Sequence, residues 1–140
     1  MKTWVIYAVV SMVFAGLTSV IAKLGLSGIS GELGLTIRTC FVFVMVLGFA
    51  VFAVSPSEIS AVTRTNYFWL GLSAATTTLS WVFYYKALKE GDVSTIALID
   101  KGSIIVAVFL AVFILKENIT PKTILGACVM LVGLLIIGKK

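Results

Sequence analysis

The sequence predicts an all-α integral membrane protein. Hydrophobic residues make up 60% of its 140 positions and charged residues only 12%, whereas a typical soluble domain has about 25% charged residues. A soluble fold of this size has too little interior to bury so much apolar surface. Because the chain has two prolines and no linker or low-complexity tract, we expect a single membrane domain over residues 1–140.

Five apolar stretches predict five transmembrane helices. A spanning helix needs about 20 mostly apolar residues, since each residue adds about 1.5 Å across a hydrocarbon core about 30 Å thick. The fifth stretch is the shortest, and Thr120 and Pro121 before it are typical of an N-cap and of the first helical position. The predicted helices cover about residues 3–22, 33–54, 67–85, 95–115 and 121–138.

We expect neither a cleaved leader nor a metal site. The first stretch is longer than the apolar core of a signal peptide, and it ends at Lys23 with further spans behind it. The chain has no histidine, and Cys40 and Cys128 lack the paired spacing of a zinc site or a disulfide framework. No metal and no cofactor is therefore expected. The net charge of +5 is what positively charged membrane loops produce, so no nucleic-acid partner is expected either.

The lysine and arginine residues leave the orientation open. Outside the spans, four of these cations lie on the membrane face of the N-terminus and five on the opposite face. Arg38 and Lys101 lie just inside helices near the second face, and counting them gives four cations against seven. The excess favours a cytoplasmic C-terminus. Either the N-terminus is outside, or molecules insert both ways and pair as antiparallel homodimers. The four are Lys2, Arg64, Lys116 and Lys122, and the five are Lys23, Lys86, Lys89, Lys139 and Lys140.

One face of the third predicted helix is polar. Hydroxyl side chains recur there at intervals of three or four residues, so they share one side of the helix. A single hydroxyl in a membrane helix usually bonds to a carbonyl of its own helix or to a neighbouring helix, but a stripe that ends in aromatic residues favours a cavity wall. We define the polar stripe as Ser73, Thr76, Thr77, Ser80, Trp81 and Tyr84. The first helix offers a comparable face that includes Thr18.

Three charged residues, Arg38, Asp100 and Lys101, lie inside predicted helices near one membrane face. A charge at a helix centre costs about 2.5–3.5 kcal/mol even on the lenient insertion scale. Arg38 and Lys101 have long side chains that can extend to the headgroups, whereas the short carboxylate of Asp100 needs a cation, a water-filled cavity or a proton. With Lys101 or Arg38 as its partner and Ser103 on the same face, we expect an ion pair at the mouth of a polar cavity, where it binds substrate or gates a pathway.

The second half of the chain has a series of features in a definite order. From Gly71 onwards they are an aromatic run that leads into Ala87-Leu88, a short link, a fourth helix ending in Lys116-Glu117, a turn to Thr120-Pro121, and a last helix with Gly126 and Gly133. In order and spacing they resemble the EamA-type domain of the drug/metabolite transporter superfamily, and the resemblance extends over essentially the whole chain. The segment Asp100-Lys101-Gly102-Ser103 is similar to the five-helix bacterial/archaeal branch.

The resemblance implies transport of small metabolites across the cytoplasmic membrane by a multi-pass protein that is not an enzyme. Larger relatives contain two five-helix units as inverted repeats around a central site. A chain with one unit would therefore act as a homodimer, with an antiparallel pair favoured, among membrane lipids. The polar stripe would bind the small-molecule substrate near the midplane, and the charged residues would serve the entrance or coupling to protons.

Other functions are open alternatives. The small multidrug resistance branch exchanges drug cations for protons through an acidic residue in its first helix, and the first helix here has none. This favours a neutral, zwitterionic or partly anionic metabolite over multidrug cation/proton exchange. A non-transporting assembly or lipid-binding protein would use the stripe for packing alone. An intramembrane enzyme is the weakest alternative, because the chain has no histidine, no acidic pair and no nucleophile–base spacing.

Overall fold

The chain is helical throughout the part that the computed structural model describes, residues 3–137. No β-strand occurs among those residues, which confirms the all-α prediction. The predicted helix end at residue 138 and the loop charges Lys2, Lys139 and Lys140 lie outside the described residues. In chain order the helices are α1 (Thr3–Gly25), α2 (Gly31–Ala53), α3 (Pro56–Ser60), α4 (Arg64–Glu90), α5 (Val93–Asp100), α6 (Ser103–Phe113) and α7 (Pro121–Ile137).

Three segments of the described chain are long and apolar enough to cross a membrane. They are α1, α2 and the run Val93–Phe113, which α5 and α6 form together; α7 is apolar but shorter. Most large apolar side chains lie on the surface of the chain, and that of Phe52 is 93% exposed. Apolar surface of this extent requires lipid or another protein to cover it. The integral membrane fold is therefore confirmed, while crossing by α4 and α7 stays a prediction.

The span predicted over 95–115 is two helices rather than one. Between α5 and α6 the N–H groups of Gly102 and Ile104 donate to carbonyls three residues back, at 2.8 and 3.1 Å, which is the tighter 3₁₀ pattern. A methyl group on Gly102 would lie 2.9 Å from the carbonyl oxygen of Ile99 and 3.1 Å from the side chain of Leu134. Hydrophobic length predicts a span but does not detect such a local tightening.

The described residues group into two compact units. In the first, which comprises the described parts of Met1–Ser19 and Gly91–Lys140, α7 packs against α5 and α6. In the second, Val20–Glu90, α2 packs along α4. The second unit contains Arg38 and the whole polar stripe, and it is the part of the fold that positions the candidate site.

The hydrophobic core of the second unit lies where the chain between α1 and α2, and the first turns of α2, meet the last turns of α4. The buried large apolar side chains of the described chain all lie there, and we call this cluster the junction: Leu26, Leu35, Tyr85 and Leu88. No comparable buried cluster occurs elsewhere in residues 3–137. The junction is therefore the best-packed region of the second unit.

Two lysines bind the helix ends at the junction reciprocally. The Lys23 ammonium, in the last turn of α1, donates to the carbonyl of Leu88 in α4. The Lys89 ammonium, in the last turn of α4, donates at 3.1 Å to the carbonyl of Leu26, which follows α1. Helix C-terminal carbonyls lack intrahelical partners and carry a partial negative charge, so lysines there satisfy both the hydrogen bond and the dipole.

Side-chain caps set the starts of α2 and α7. The amide of Leu33 donates to Ser30 Oγ at 3.2 Å, which makes Ser30 the N-cap of α2. The amide of Thr123 donates to Thr120 Oγ1 at 3.3 Å, and Pro121 is the first residue of α7. The N-cap predicted at Thr120 is thus confirmed.

We predict that Gly31→Ala destabilises the protein. A methyl group on Gly31 would lie 2.9 Å from the carbonyl oxygen of Tyr85 and 3.3 Å from the amide nitrogen of Lys86, so α2 and α4 would have to separate. The expected loss is about 1–3 kcal/mol in the free energy of unfolding, as for other overpacked sites. Denaturant unfolding in detergent micelles measures it.

Gly48→Ala is the matched control in the same helix. A methyl group on Gly48 meets nothing within 4 Å, and alanine in a helix interior is favoured over glycine by about 0.5–1 kcal/mol. Equal stabilities of the two variants would contradict a close α2–α4 approach at Gly31.

Candidate functional site

The centre of the candidate site is a contact between Arg38 on α2 and Trp81 on α4. The guanidinium carbon of Arg38 lies over the face of the Trp81 ring, 4.4 Å from its centre, and both side chains are half-buried. A cation–π contact of this kind contributes about 0.5–1 kcal/mol at an exposed site and about 2 kcal/mol when desolvated. The contact joins the predicted intramembrane cation to the predicted stripe.

The packing at the junction places Arg38 opposite Trp81. The backbone of Gly31 lies close to that of Tyr85. Arg38, which follows Gly31 in α2, contacts Trp81, which precedes Tyr85 in α4. The two helices are therefore antiparallel. Because Arg38 lies about two turns beyond Gly31 and Trp81 about one turn before Tyr85, the register of one contact determines the other.

Arg38 has an unsatisfied donor. Its Nη1 atom is buried and has no hydrogen-bond partner within residues 3–137. An arginine side chain stays protonated in proteins, and a buried donor without a partner costs about 1–3 kcal/mol, or more when it carries charge. The Trp81 ring faces the charge but gives this N–H no acceptor.

The ion pairs of the described chain do not include Arg38. Lys86 pairs with Glu32 at 3.4 Å, and Lys101 pairs with Asp100 at 3.6 Å. The side chains of Lys86 and Glu32 are 52% and 60% exposed, so this pair adds little to stability. Residues 20–90 contain five lysine or arginine residues and three glutamates, a net charge of +2. The second unit therefore has more cations than its own carboxylates can neutralise.

The threonines of the stripe bond to their own helix. Thr76 and Thr77 donate to the carbonyl of Ser73 at 2.9 and 2.8 Å. Thr18, on α1 in the first unit, donates to the carbonyl of Phe14 at 2.8 Å. All these side chains and that of Ser80 are exposed on the chain. The threonine hydroxyl protons are thus already used, and what these oxygens offer a ligand is their acceptor capacity.

The other predicted site residues lie in the first unit, around the tightened turn. Asp100 ends α5 and Ser103 begins α6. Sequence analysis gave Lys101 or Arg38 as the partner of Asp100; the partner is Lys101, its neighbour in the chain. Arg38, in the second unit, contacts Trp81 instead. No group of histidine, cysteine or acidic side chains that could bind a metal ion occurs within residues 3–137.

Sequence analysis did not assign a structural role to the residues that make the junction. Gly31 lies at the start of α2, and a small residue in a helix can allow close approach of a neighbouring helix. Lys23 and Lys89 lie in the last turns of α1 and α4, where lysines commonly bind terminal carbonyls. These signals are local, but neither identifies the partner helix.

Comparisons with known proteins agree on a class. The chain matches the EamA-like transporter family over residues 2–139. It is 29% identical over 136 residues to a protein of Sinorhizobium sp described as an uncharacterized transporter in the cobO 3' region, covering 97% of this chain and 96% of the relative. No solved structure matches it significantly. Together with its apolar spanning helices, this match over nearly the full length shows that the chain is a multi-pass membrane protein of the EamA-like transporter family.

Proposed function

We propose that this protein is a secondary transporter or exporter that moves small metabolites across the cytoplasmic membrane by alternating access. The observation that carries the proposal is the contact of Arg38 on α2, a helix long and apolar enough to cross a membrane, with Trp81 on α4. A charged residue inside a membrane segment is costly and is usually retained for function. An aromatic ring beside an arginine with a free donor supplies both a stacking surface and a hydrogen-bonding group for a small polar molecule.

The stripe extends this binding surface along α4. Ser73, Thr76, Thr77 and Ser80 lie on the face that ends at Trp81 and Tyr84, and their hydroxyl oxygens add acceptors. Because α2 and α4 are packed together at the junction, we infer that they move as one body while access alternates. The pair of Asp100 and Lys101, with Ser103, stays a prediction for the entrance of the pathway, and Thr18 stays one for its wall.

We infer that a second copy in the opposite orientation completes the pathway. The near balance of four against five flanking cations allows insertion both ways. Gly126 and Gly133 on α7 have open space where a side chain would be and lie on nearly one face of that helix, which supports close approach of a neighbouring helix. The exposed apolar faces of α1 and α2 would contact lipid or the second copy.

Transport is tested by replacing Trp81 with leucine. The variant keeps an apolar side chain but removes the ring over Arg38, so we expect substrate flux in proteoliposomes to fall on the order of tenfold, as loss of about 1.4 kcal/mol of binding predicts. The flux of a panel of labelled amino acids, organic acids, nucleosides and polyamines identifies the substrate first.

The matched control is Trp69→Leu in the same helix. Trp69 is 60% exposed, and its ring contacts Phe68. This variant is expected to transport at the wild-type rate. Equal flux in wild type, Trp69→Leu and Trp81→Leu would exclude the face of Trp81 from the transport pathway.

The antiparallel homodimer predicts that the C-terminus occurs on both sides of the membrane. We expect C-terminal fusions to alkaline phosphatase and to green fluorescent protein both to be active in cells. Alkaline phosphatase becomes active only outside the cytoplasm, whereas green fluorescent protein fluoresces only inside it. Activity of a single reporter would contradict insertion in two orientations, and a monomer in crosslinking of native membranes would contradict the dimer itself.

A further inference from the structure

We propose that Arg38 binds a carboxylate of the transported molecule, so that the substrates are small organic acids or zwitterions with a carboxylate group. This inference rests on the proposed transport function and names the substrate class for the same site. Its basis is a buried guanidinium nitrogen with no acceptor beside an aromatic ring.

The protein itself supplies no anion to Arg38 among the residues described. Glu32 pairs with Lys86, and Glu58, at the start of α3, accepts the amide and the hydroxyl of Ser55, each at 2.8 Å. These are two of the three acidic residues of the second unit, and the third, Glu90, forms no ion pair with Arg38. A charged donor left without an acceptor in a membrane protein is destabilising, and a ligand anion removes that cost when it binds.

The charge at the site favours a carboxylate over a phosphate dianion. Trp81 covers the guanidinium carbon from one side, and the N–H donors of arginine lie in the guanidinium plane, where they match two oxygens of a carboxylate or of a phosphate. The nearby lysines are engaged elsewhere, since Lys23 and Lys89 donate to backbone carbonyls. One cation with a planar fork suits one planar, singly charged group better than a phosphate dianion.

The test is ligand-induced thermal stabilisation of the purified full-length protein in uncharged detergent. The probes are pairs of similar size in which a neutral amide replaces each carboxylate, namely acetate and acetamide, benzoate and benzamide, and succinate and succinamide. Inorganic phosphate and phosphatidylglycerol are added as separate arms. We expect at least one carboxylate to raise the Tm while its amide does not, with smaller effects of phosphate and of the lipid.

Variants at Arg38 link the effect to this residue. Arg38→Lys keeps the charge but not the planar fork, and we expect carboxylate affinity to fall about tenfold or more; Arg38→Gln should abolish the stabilisation. Lys86→Gln is the control, because it removes a cation of the same unit that already has a partner, and it should bind as the wild type does. Gel filtration verifies folding, and Arg38→Lys provides the comparison if Arg38→Gln does not fold.

Specific results would overturn the inference. The first is equal stabilisation by carboxylates and their amides, and the second is an unchanged carboxylate affinity in Arg38→Lys. The third is stabilisation by phosphatidylglycerol with none by any carboxylate, which would assign Arg38 to a lipid headgroup. Flux measurements separate this from the transport proposal. Carboxylates that bind through Arg38 but are not transported would refute transport alone, whereas transport of uncharged molecules that does not depend on Arg38 would refute the carboxylate site alone.

Discussion

The close backbone contact between Gly31 in α2 and Tyr85 in α4 is the constraint on which the second unit depends. It brings the two backbones so near that a single methyl group would contact the Tyr85 carbonyl oxygen at 2.9 Å. The contact fixes both the separation and the antiparallel register of the helices. Since helical rise then determines which residues face each other further along, Arg38 and Trp81 lie together as a consequence.

Polar contacts carry unusual weight in this molecule because hydrophobic burial contributes so little within the chain. Four large apolar side chains are buried in the part described, and lipid offers an apolar side chain much the same environment as a neighbouring helix does. Close packing of small residues and hydrogen bonds to terminal carbonyls therefore stabilise the helix pairs. The reciprocal bonds of Lys23 and Lys89 act where helix ends otherwise leave carbonyls unsatisfied.

Sequence alone was sufficient where the signal is local. Hydrophobic length predicted α1 and α2, and the Thr120 cap predicted the start of α7. The break between α5 and α6, before Ser103, was not predicted because a tighter helical turn does not change the hydropathy of the sequence. The partner of Arg38 was not predicted either: periodicity assigns a residue to one side of a helix, but tertiary packing decides which helix that side meets. The local bonds of Thr76 and Thr77 were one of two open alternatives, and the stripe as the wall of a cavity stays a prediction.

An experimental structure in a lipid nanodisc tests most directly whether Arg38 packs on Trp81 inside the membrane. An arginine near a helix end has a competing option, since its long side chain can extend to the headgroups. If the junction positions it, the guanidinium will lie over the Trp81 ring at close to the 4.4 Å found here. An Arg38 side chain extended into the headgroup layer, with the Trp81 ring uncovered, would contradict the site at its centre.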